Sequence, residues 1–245
     1  MDIKTVHINS DVGEGIGNEA QLLPYLSACN IACGAHAGND ALIQEVIALA
    51  ITHNVQIGAH PGYPDPEHFG RRQLAISDHE LQQSVTTQIQ TIQHYATQAG
   101  TKLMHVKTHG ALYNLAAKDA HYADLVLETV LNIDPNLILY VPYNSVLASK
   151  AKGIIPYKLE GFADRQYEED YSLVSRSLDG AVLTTNETVY NQVQNIINEH
   201  LISRSGKKLQ FEADTICFHG DTTNATHLLA YVSSRFKDDH IVLER

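Results

Sequence analysis

The chain has 245 residues, of which 44% are hydrophobic and 18% charged, and this composition is typical of one α/β domain over residues 1–245. Its formal net charge of −11 disfavours nucleic acid and anionic membranes as partners, because an acidic surface repels phosphate groups. The three cysteines form no disulfide pattern, and the sequence contains neither a signal-peptide core nor a membrane-spanning apolar run. We therefore expect a cytoplasmic protein.

Strands and helices alternate along the chain. Short apolar runs predict seven strands, at residues 5–11, 30–35, 55–60, 103–107, 137–141, 154–159 and 215–219. The segments between and after them predict helices at residues 19–26, 41–53, 77–99, 111–132, 145–152, 187–202 and 224–236. The third helix begins at a capping box of Ser77 and Glu80. Seven βα units in succession predict a seven-stranded parallel βα barrel, and residues 209–211 are a candidate for one further strand.

An ionisable cluster stands at the end of each of five predicted strands. The clusters are Asn9-Ser10-Asp11 with Glu14, Cys33-Gly34-Ala35-His36, Gly58-Ala59-His60, His105-Val106-Lys107-Thr108-His109 and Cys217-Phe218-His219-Gly220-Asp221. The strands of a βα barrel deliver their C-terminal ends to one rim, and the active sites of such barrels lie there. The sequence therefore predicts an enzyme with its active site on this rim.

Strand alternation divides these side chains between the barrel axis and the surrounding helices, because residues two apart share a face. The set directed to the axis is His7, Asn9, Asp11, Asn30, Ala32, Gly34, His36, Gln56, Gly58, His60, His105, Lys107 and His109. Glycine at positions 34 and 58 indicates room for a ligand near the axis. The alternative is that these polar groups only satisfy one another, although barrel interiors are mostly Val, Ile and Leu.

Several common motifs are absent from the sequence. The run from Gly13 to Gly17 has G-x-G-x-G spacing, which is not that of a dinucleotide fingerprint, and no P-loop, H-E-x-x-H motif or G-x-S-x-G elbow occurs. Alternation places Cys29 and Cys33 on the helix side of their strand, which argues against a cysteine–histidine metal site. The candidate ligands for a divalent metal are Asp11, His36 and His60, and the same three residues suit metal-free acid–base chemistry.

Two loops that follow predicted strands contain arginines. They carry the segments Phe69-Gly70-Arg71-Arg72 and Phe162-Ala163-Asp164-Arg165. A guanidinium group binds a carboxylate through two parallel hydrogen bonds, so Arg71 and Arg165 are candidates to capture an anionic substrate despite the acidic surface. Solvated surface charge is the alternative for both.

These motifs resemble those of the LamB/YcsF family from about Asn9 to Asp221. Besides the clusters and loops above, the resemblance covers Ala28-Cys29-Asn30-Ile31-Ala32-Cys33-Gly34-Ala35-His36-Ala37-Gly38, Ile57-Gly58-Ala59-His60-Pro61-Gly62-Tyr63-Pro64-Asp65 and His105-Val106-Lys107-Thr108-His109-Gly110-Ala111-Leu112-Tyr113-Asn114. It implies a distorted TIM-like barrel related to that of the polysaccharide deacetylases. This sequence departs from the family pattern at Ser10, Ala35, Thr108, Gly161 and Tyr171.

The resemblance implies the A subunit of a bacterial ATP-dependent 5-oxoprolinase, which opens 5-oxoproline (pyroglutamate) to L-glutamate. Because the chain has no recognisable nucleotide-binding loop, we expect the partner subunits B and C to handle most of the ATP chemistry. The candidate catalytic residues are Asp11, His36, His60, Lys107, His109 and His219, and the candidate substrate-binding residues are Asn9, Glu14, Asn30, Arg71, Arg165 and Asp221.

On this basis we place a water-activating base among Asp11, His60 and His109. Lys107, together with His36 or His219, would stabilise negative charge or protonate the leaving nitrogen. Because rim residues contribute little to a barrel core, we expect substitutions at Asp11, His60 and Lys107 to lower turnover with little effect on stability.

Two other functions remain open at this point. One is a stand-alone metal-dependent deacetylase or related amide hydrolase. The other is a non-catalytic subunit that only binds the substrate or its partner subunits.

Overall fold

A computed structural model describes residues 3–245. The strands are β1 (Lys4–Val6), β2 (Ile8–Val12), β3 (Ala28–Ala32), β4 (Gln56–His60), β5 (Leu103–Val106), β6 (Ile138–Pro142), β7 (Tyr157–Phe162), β8 (His200–Ile202), β9 (Lys208–Gln210), β10 (Thr215–His219) and β11 (Ile241–Leu243). Seven of them form a closed parallel barrel in the order β10-β2-β3-β4-β5-β6-β7. The predicted seven-stranded parallel barrel is therefore confirmed.

Helices surround the barrel, and most of them begin at a residue that can cap a free backbone N–H. They are α1 (Glu19–Leu22), α2 (Asp40–Thr52), α3 (Asp78–Gln98), α4 (Gly110–Lys118), α5 (Ala120–Ile133), α6 (Val146–Ala151), α7 (Asn186–Ile197) and α8 (Ala225–Phe236). The predicted capping box of α3 is present: the Ser77 side chain accepts from the Glu80 backbone N–H, and the Glu80 side chain accepts from the Ser77 backbone N–H. Across residues 3–245, no helix combines the length and the apolar character that crossing a bilayer requires.

Two short strand pairs lie outside the barrel. β1 pairs in parallel with β11, which joins the beginning of the described chain to its last strand. β8 and β9 form an antiparallel hairpin between α7 and β10, and β9 lies at the predicted further strand. The aromatic ring of Phe211, directly after β9, packs against Tyr143 and Tyr167 near the loop that follows β7.

The predicted first strand is divided into β1 and β2, and the predicted first helix ends at Leu22. Three other predicted boundaries were wrong for a local backbone reason. β3 ends at Ala32 because Gly34 has a φ of 88°, a left-handed conformation that ends a strand. β7 starts after Pro156, which has no N–H to donate to a sheet, and it therefore lies about three residues later than predicted. α7 ends before Glu199, whose φ is 59°, and the end of the predicted helix is instead β8.

Polar side chains fill the centre of the barrel, as alternation predicts. Asn30 donates through Nδ2 to Asn9 Oδ1 at 2.7 Å, and Asn9 donates to Thr215 Oγ1 at 2.8 Å. His105 lies 2.8 Å from Asn30 Oδ1 and stacks on Tyr140. Asn9, Asn30 and Nε2 of His105 thus satisfy one another, as in the alternative considered from the sequence, whereas Nδ1 of His105 and the Tyr140 hydroxyl have no hydrogen-bond partner in the described chain.

The space beside Gly58 is occupied by protein rather than by a ligand. A Cβ atom at this position would lie 2.0 Å from Nε2 of His105, so the glycine makes room for that imidazole. The prediction of a ligand space at Gly58 was therefore wrong. Nothing in the described chain approaches a Cβ placed on Gly34, which lies beyond the end of β3.

Candidate active site

A cavity of about 560 Å³ opens at the C-terminal ends of the barrel strands. Its walls come from the loops after the strands, including the segment between β7 and α7. The ionisable residues that line it include Asp11, Glu14, His60, Arg71, Lys107, His109, Glu160, Arg165, Arg176, His219 and Asp221. The strand-end clusters thus meet in one place, as the barrel rim predicts.

The ammonium group of Lys107 lies at the floor of this cavity. Its Nζ is 2.9 Å from Asp11 Oδ1, 3.1 Å from Glu160 Oε1 and 3.1 Å from Cys217 Sγ, and the residue is only 2% exposed. Burial alone would lower the pKa of Lys107, but Asp11 and Glu160 outweigh burial and raise the pKa well above its ordinary value. The site therefore holds a fixed positive charge.

Asp11 is held ionised by its neighbours. Burial would raise the pKa of this carboxyl, but His60 and Lys107 lower it well below its ordinary value. Oδ1 accepts from Asn30 Nδ2 at 2.8 Å in addition to Lys107, while Oδ2 lies 3.5 Å from Nε2 of His60. One oxygen is thus fixed by hydrogen bonds, and the other faces the histidines.

Glu160 is a second carboxylate in the site, and it was missed from the sequence. It is 1% exposed and accepts from Asn9 Nδ2 at 3.0 Å and from the Tyr113 hydroxyl at 2.7 Å. The predicted sixth strand ended at residue 159, so Glu160 was assigned to a loop. Alternation along the true strand β7, which starts after Pro156, places Glu160 on the axis side, and that signal was available.

Three histidines and Glu14 form a buried cluster beside Asp11. Nδ1 of His109 is 2.9 Å from Nε2 of His60, and the rings of His36 and His109 are stacked with centroids 3.9 Å apart. Glu14 Oε1 lies 3.6 Å from His36, 3.5 Å from His109 and 3.9 Å from His60. Burial raises the pKa of Glu14, lowers that of His60 to about 3 and lowers that of His109.

His219 reaches the cavity from the end of β10. Its Nδ1 lies 2.8 Å from Oδ1 of Asp164, and its ring stacks on Phe162. Asp164 is 1% exposed, and burial would raise its pKa, but His219 and hydrogen bonds from His219 and Thr222 lower it. Asp164 thus fixes the orientation of the imidazole, a role not predicted from the sequence.

Two arginines share one carboxylate at the cavity mouth. Asp221 Oδ2 accepts from Nη2 of Arg71 at 2.6 Å and from Nη1 of Arg176 at 2.8 Å. Arg165 is buried, and its Nη2 donates to the Val174 carbonyl at 2.6 Å, which fixes the segment after β7. Among these three side chains, Arg71 and Arg176 are therefore the more exposed to an incoming anion.

Most of the predicted site residues line the cavity. Those that do are Asp11, Glu14, His60, Arg71, Lys107, His109, Arg165, His219 and Asp221. His36 lies behind His109 and is not part of the wall. Asn9 and Asn30 are fully buried in the barrel layer and also lie outside the cavity wall.

Two groups of ligand-type side chains in residues 3–245 are close enough to be tested as metal sites. The first is Asp11, Cys217 and His219, and the second is Glu14, His36 and His109, with the ligand atoms of each group within 4.8 Å of one another. The predicted set of Asp11, His36 and His60 is not among them, because His36 approaches Glu14 rather than Asp11.

Neither group has the arrangement that a metal ion requires. In the first, the Lys107 ammonium lies 2.9 Å from Asp11 Oδ1 and 3.1 Å from Cys217 Sγ, so it occupies the position of a cation between these two ligands. In the second, the planes of His36 and His109 differ by 2°. Imidazole lone pairs lie in the ring plane, so two stacked parallel rings cannot both reach one ion at about 2.1 Å.

The fold and the cavity define a βα-barrel protein with a dense set of acid–base side chains at its C-terminal rim. The chain belongs to the LamB/YcsF family, whose model matches residues 6–245. It is 40% identical over 235 residues to the A subunit of 5-oxoprolinase from Staphylococcus aureus (strain Newman), and the match covers 93% of each chain.

Solved structures agree with this assignment. The crystal structure of the lactam utilization protein from Thermus thermophilus is similar with a TM-score of 0.90 and 32% identity, covering 98% of both chains. A deacetylase solved with substrate has a TM-score of 0.50 at 14% identity, covering 98% of this chain and 87% of the other. The second likeness concerns the fold alone, and it agrees with the predicted relation to deacetylase barrels.

Proposed function

We propose that this chain is the A subunit of an ATP-dependent 5-oxoprolinase and that it opens an activated 5-oxoproline ring to glutamate. The observation that carries the proposal is the buried Lys107 ammonium between two carboxylates at the floor of the rim cavity. The relatives named for 5-oxoprolinase and lactam utilization support the choice of a lactam as the substrate.

The lactam carbonyl would lie next to Lys107. Attack by water places negative charge on the carbonyl oxygen, and the Lys107 ammonium would stabilise that charge by donating to this oxygen in place of its weak contact with Cys217 Sγ. Asp11 has one oxygen that is not bound to Lys107 and that faces the histidines, so this oxygen would accept the proton of the attacking water, although the lowered pKa makes Asp11 a weak base.

The substrate carboxylate would bind at the cavity mouth. Arg71 and Arg176 together carry two positive charges against the single charge of Asp221, so this corner has an excess of one positive charge. This local excess allows an acidic protein to bind an anionic lactam. A substrate carboxylate would share the two guanidinium groups with Asp221.

Partner subunits B and C would supply the ATP-dependent activation. Hydrolysis of an unstrained five-membered lactam is unfavourable without activation, and the sequence contains no P-loop for a nucleotide. A metal-dependent deacetylase is the less suitable candidate, because neither donor group in the described chain has a ligand arrangement that fits an ion.

The test is glutamate release from 5-oxoproline and ATP, measured for the purified chain alone and with its B and C partners. We expect turnover only in the assembled complex. Asp11→Asn, which keeps the side-chain shape, should lower turnover by roughly a hundredfold or more. Asp124→Asn, at the exposed Lys150–Asp124 pair, is the matched control and should leave turnover unchanged. Full activity of Asp11→Asn, or robust turnover by the isolated chain, would contradict the proposal.

A further inference from the structure

Two histidines form a hydrogen-bonded chain between two backbone carbonyls. Nδ1 of His60 lies 2.8 Å from the Lys107 carbonyl oxygen, and Nε2 of His60 lies 2.9 Å from Nδ1 of His109. The chain ends where Nε2 of His109 lies 2.8 Å from the Phe69 carbonyl oxygen. All four ring nitrogens are therefore engaged in short contacts.

These contacts fix the number of protons on the two rings. A carbonyl oxygen only accepts a hydrogen bond, so the ring nitrogen facing each carbonyl must carry a proton. The contact between His60 and His109 needs a third proton, since two lone pairs at 2.9 Å would repel each other. A neutral imidazole carries one ring proton, so two neutral rings together provide only two.

We infer that His60 and His109 share one excess proton and together carry one positive charge, and that this pair protonates the leaving nitrogen as the lactam opens. The second half of this inference rests on the proposed function; the first half does not. Both residues line the cavity, so the proton is held at the wall that a substrate would face.

The charged groups around the pair favour this state. Asp11 Oδ2 lies 3.5 Å from Nε2 of His60, on the side of β2. Glu14 Oε1 is 3.9 Å from His60 and 3.5 Å from His109, and this buried oxygen accepts no hydrogen bond in the described chain. When Glu14 is ionised, an oxygen in that position needs a nearby positive charge, because burial alone raises the pKa of Glu14. The Lys107 ammonium, after β5, and the stacked ring of His36, after β3, are the groups that oppose a charge on the pair.

Burial opposes the excess proton on each ring taken singly. It lowers the pKa of His60 to about 3 and also lowers that of His109, and the two rings repel each other if both are charged. The hydrogen-bonded chain changes this because the rings share one proton and titrate as a unit. A neutral pair would set a nitrogen lone pair against a carbonyl lone pair at 2.8 Å at one end of the chain.

The proton balance of the step closes within the site. As the ring C–N bond breaks, its electron pair goes to the nitrogen, and the histidine pair supplies the proton that makes a neutral amine. The pair is then left with two protons and no charge. The proton that the attacking water gives to Asp11 restores the pair, across the 3.5 Å between Oδ2 and His60.

The proton count is measurable without substrate. In protein labelled with ¹⁵N-histidine, ring-nitrogen chemical shifts distinguish protonated from unprotonated nitrogens. At pH 7.5 we expect the chemical shifts of Nδ1 of His60 and Nε2 of His109 in the protonated range. The two nitrogens that face each other, Nε2 of His60 and Nδ1 of His109, should have intermediate shifts. His60→Gln and His109→Gln assign the signals. Two fully unprotonated nitrogens in the pair would overturn the inference.

Net charge gives a second measurement. By capillary electrophoresis at pH 7.5, His109→Gln should lower the net charge by about one unit more than His94→Gln, an exposed substitution on α3 that serves as the control. An equal shift for both variants would mean that the pair is neutral.

The role as proton donor needs the assembled enzyme. We expect kcat/KM to fall as pH rises through the value at which the NMR signals show loss of the third proton. A rise of kcat/KM there would identify the pair as a base and overturn the donor role. If the assembly does not act on 5-oxoproline but the pair holds three protons, the proposed function fails and the proton count stands.

Discussion

Replacing Lys107 with methionine removes the positive charge at the centre of the site and keeps most of the side-chain volume. Because Lys107 lies at the barrel rim, the sequence predicted a small effect on stability. In the structure, however, the ammonium group is buried between Asp11 and Glu160, and the residue is only 2% exposed. Removing one partner of a buried ion pair costs about 3–5 kcal/mol, because the other partner remains buried without a counter-charge. We therefore expect Lys107→Met to lower the free energy of unfolding by about that much at pH 7.

The loss should shrink as the pH falls. In the wild-type protein the pKa of Asp11 is lowered, so its stabilising contribution is present above its ordinary pKa and is lost only as the pH falls through the lowered folded value. Without Lys107, only the histidines beside Oδ2 still oppose the effect of burial, so the pKa of the Asp11 carboxyl rises in the folded variant. The folded variant then binds a proton that the unfolded chain does not bind, and acid stabilises it relative to the wild type.

The size of this recovery follows from linkage. One additional proton bound by the folded state contributes about 1.4 kcal/mol per pH unit, which is about 2–3 kcal/mol between pH 7 and pH 5. The deficit of Lys107→Met should therefore shrink by up to that amount at pH 5. Comparing the variant with the wild type at each pH cancels the titration of groups that both proteins share.

Urea unfolding followed by circular dichroism at pH 7, 6 and 5 measures this difference. Lys150→Met, which removes the partly exposed Lys150–Asp124 pair at 2.7 Å, is the control and should cost less than about 1 kcal/mol at every pH. A loss in Lys107→Met that stays constant from pH 7 to pH 5, or that never exceeds the control, would refute the assignment of a buried charged pair.

Two further outcomes test the cavity mouth and the barrel interior. Arg71→Ala should raise KM for 5-oxoproline more than it lowers kcat in the assembled enzyme, because it removes binding shared by ground and transition states. If the variant loses as much kcat/KM with the neutral lactam 2-pyrrolidinone as with 5-oxoproline, Arg71 does not bind the carboxylate. Gly58→Ala should destabilise the fold by about 1–3 kcal/mol in urea unfolding, since its Cβ would lie 2.0 Å from the His105 ring. The double variant with His105→Ala should lose less than the sum of the single losses, and strict additivity would argue against that clash.

The sequence was sufficient to predict which face of each strand the site residues occupy. Apolar alternation separates the two sides of a strand, so the sequence alone places Asp11, His60 and Lys107 on the axis side. It was also sufficient for α3, because Ser77 and Glu80 form a local signal that needs no tertiary contact.

Alternation does not give the height of a residue along the barrel axis. Asn9 is two positions before Asp11, about 7 Å earlier along the strand, and it lies outside the cavity wall. The same limit applies to Gly58, which provides space for His105 from a neighbouring strand. Height and cross-strand packing depend on how neighbouring strands are staggered, and a single sequence does not specify that stagger.

Strand boundaries set the other limit. The apolar run around Ile154 and Ile155 placed the predicted strand three residues too early and left Glu160 outside it. Ile154 is exposed in a turn, and Pro156 prevents the run from joining the sheet. The carboxylate that completes the Lys107 site was missed for this reason, and Asp164, four residues further on, was missed with it.

Closure of the barrel between β10 and β2 has a consequence for biosynthesis. Ile216 pairs with Ile8, so a nascent chain leaving the ribosome cannot complete the ring until β10 has been translated. Until then the edges of β2 and β7 stay open, and unpaired edges favour aggregation. Cys217 and His219 belong to β10 and are translated with it. The last step of folding and the completion of the charged site are therefore one event, and a chain interrupted before Thr215 would lack both.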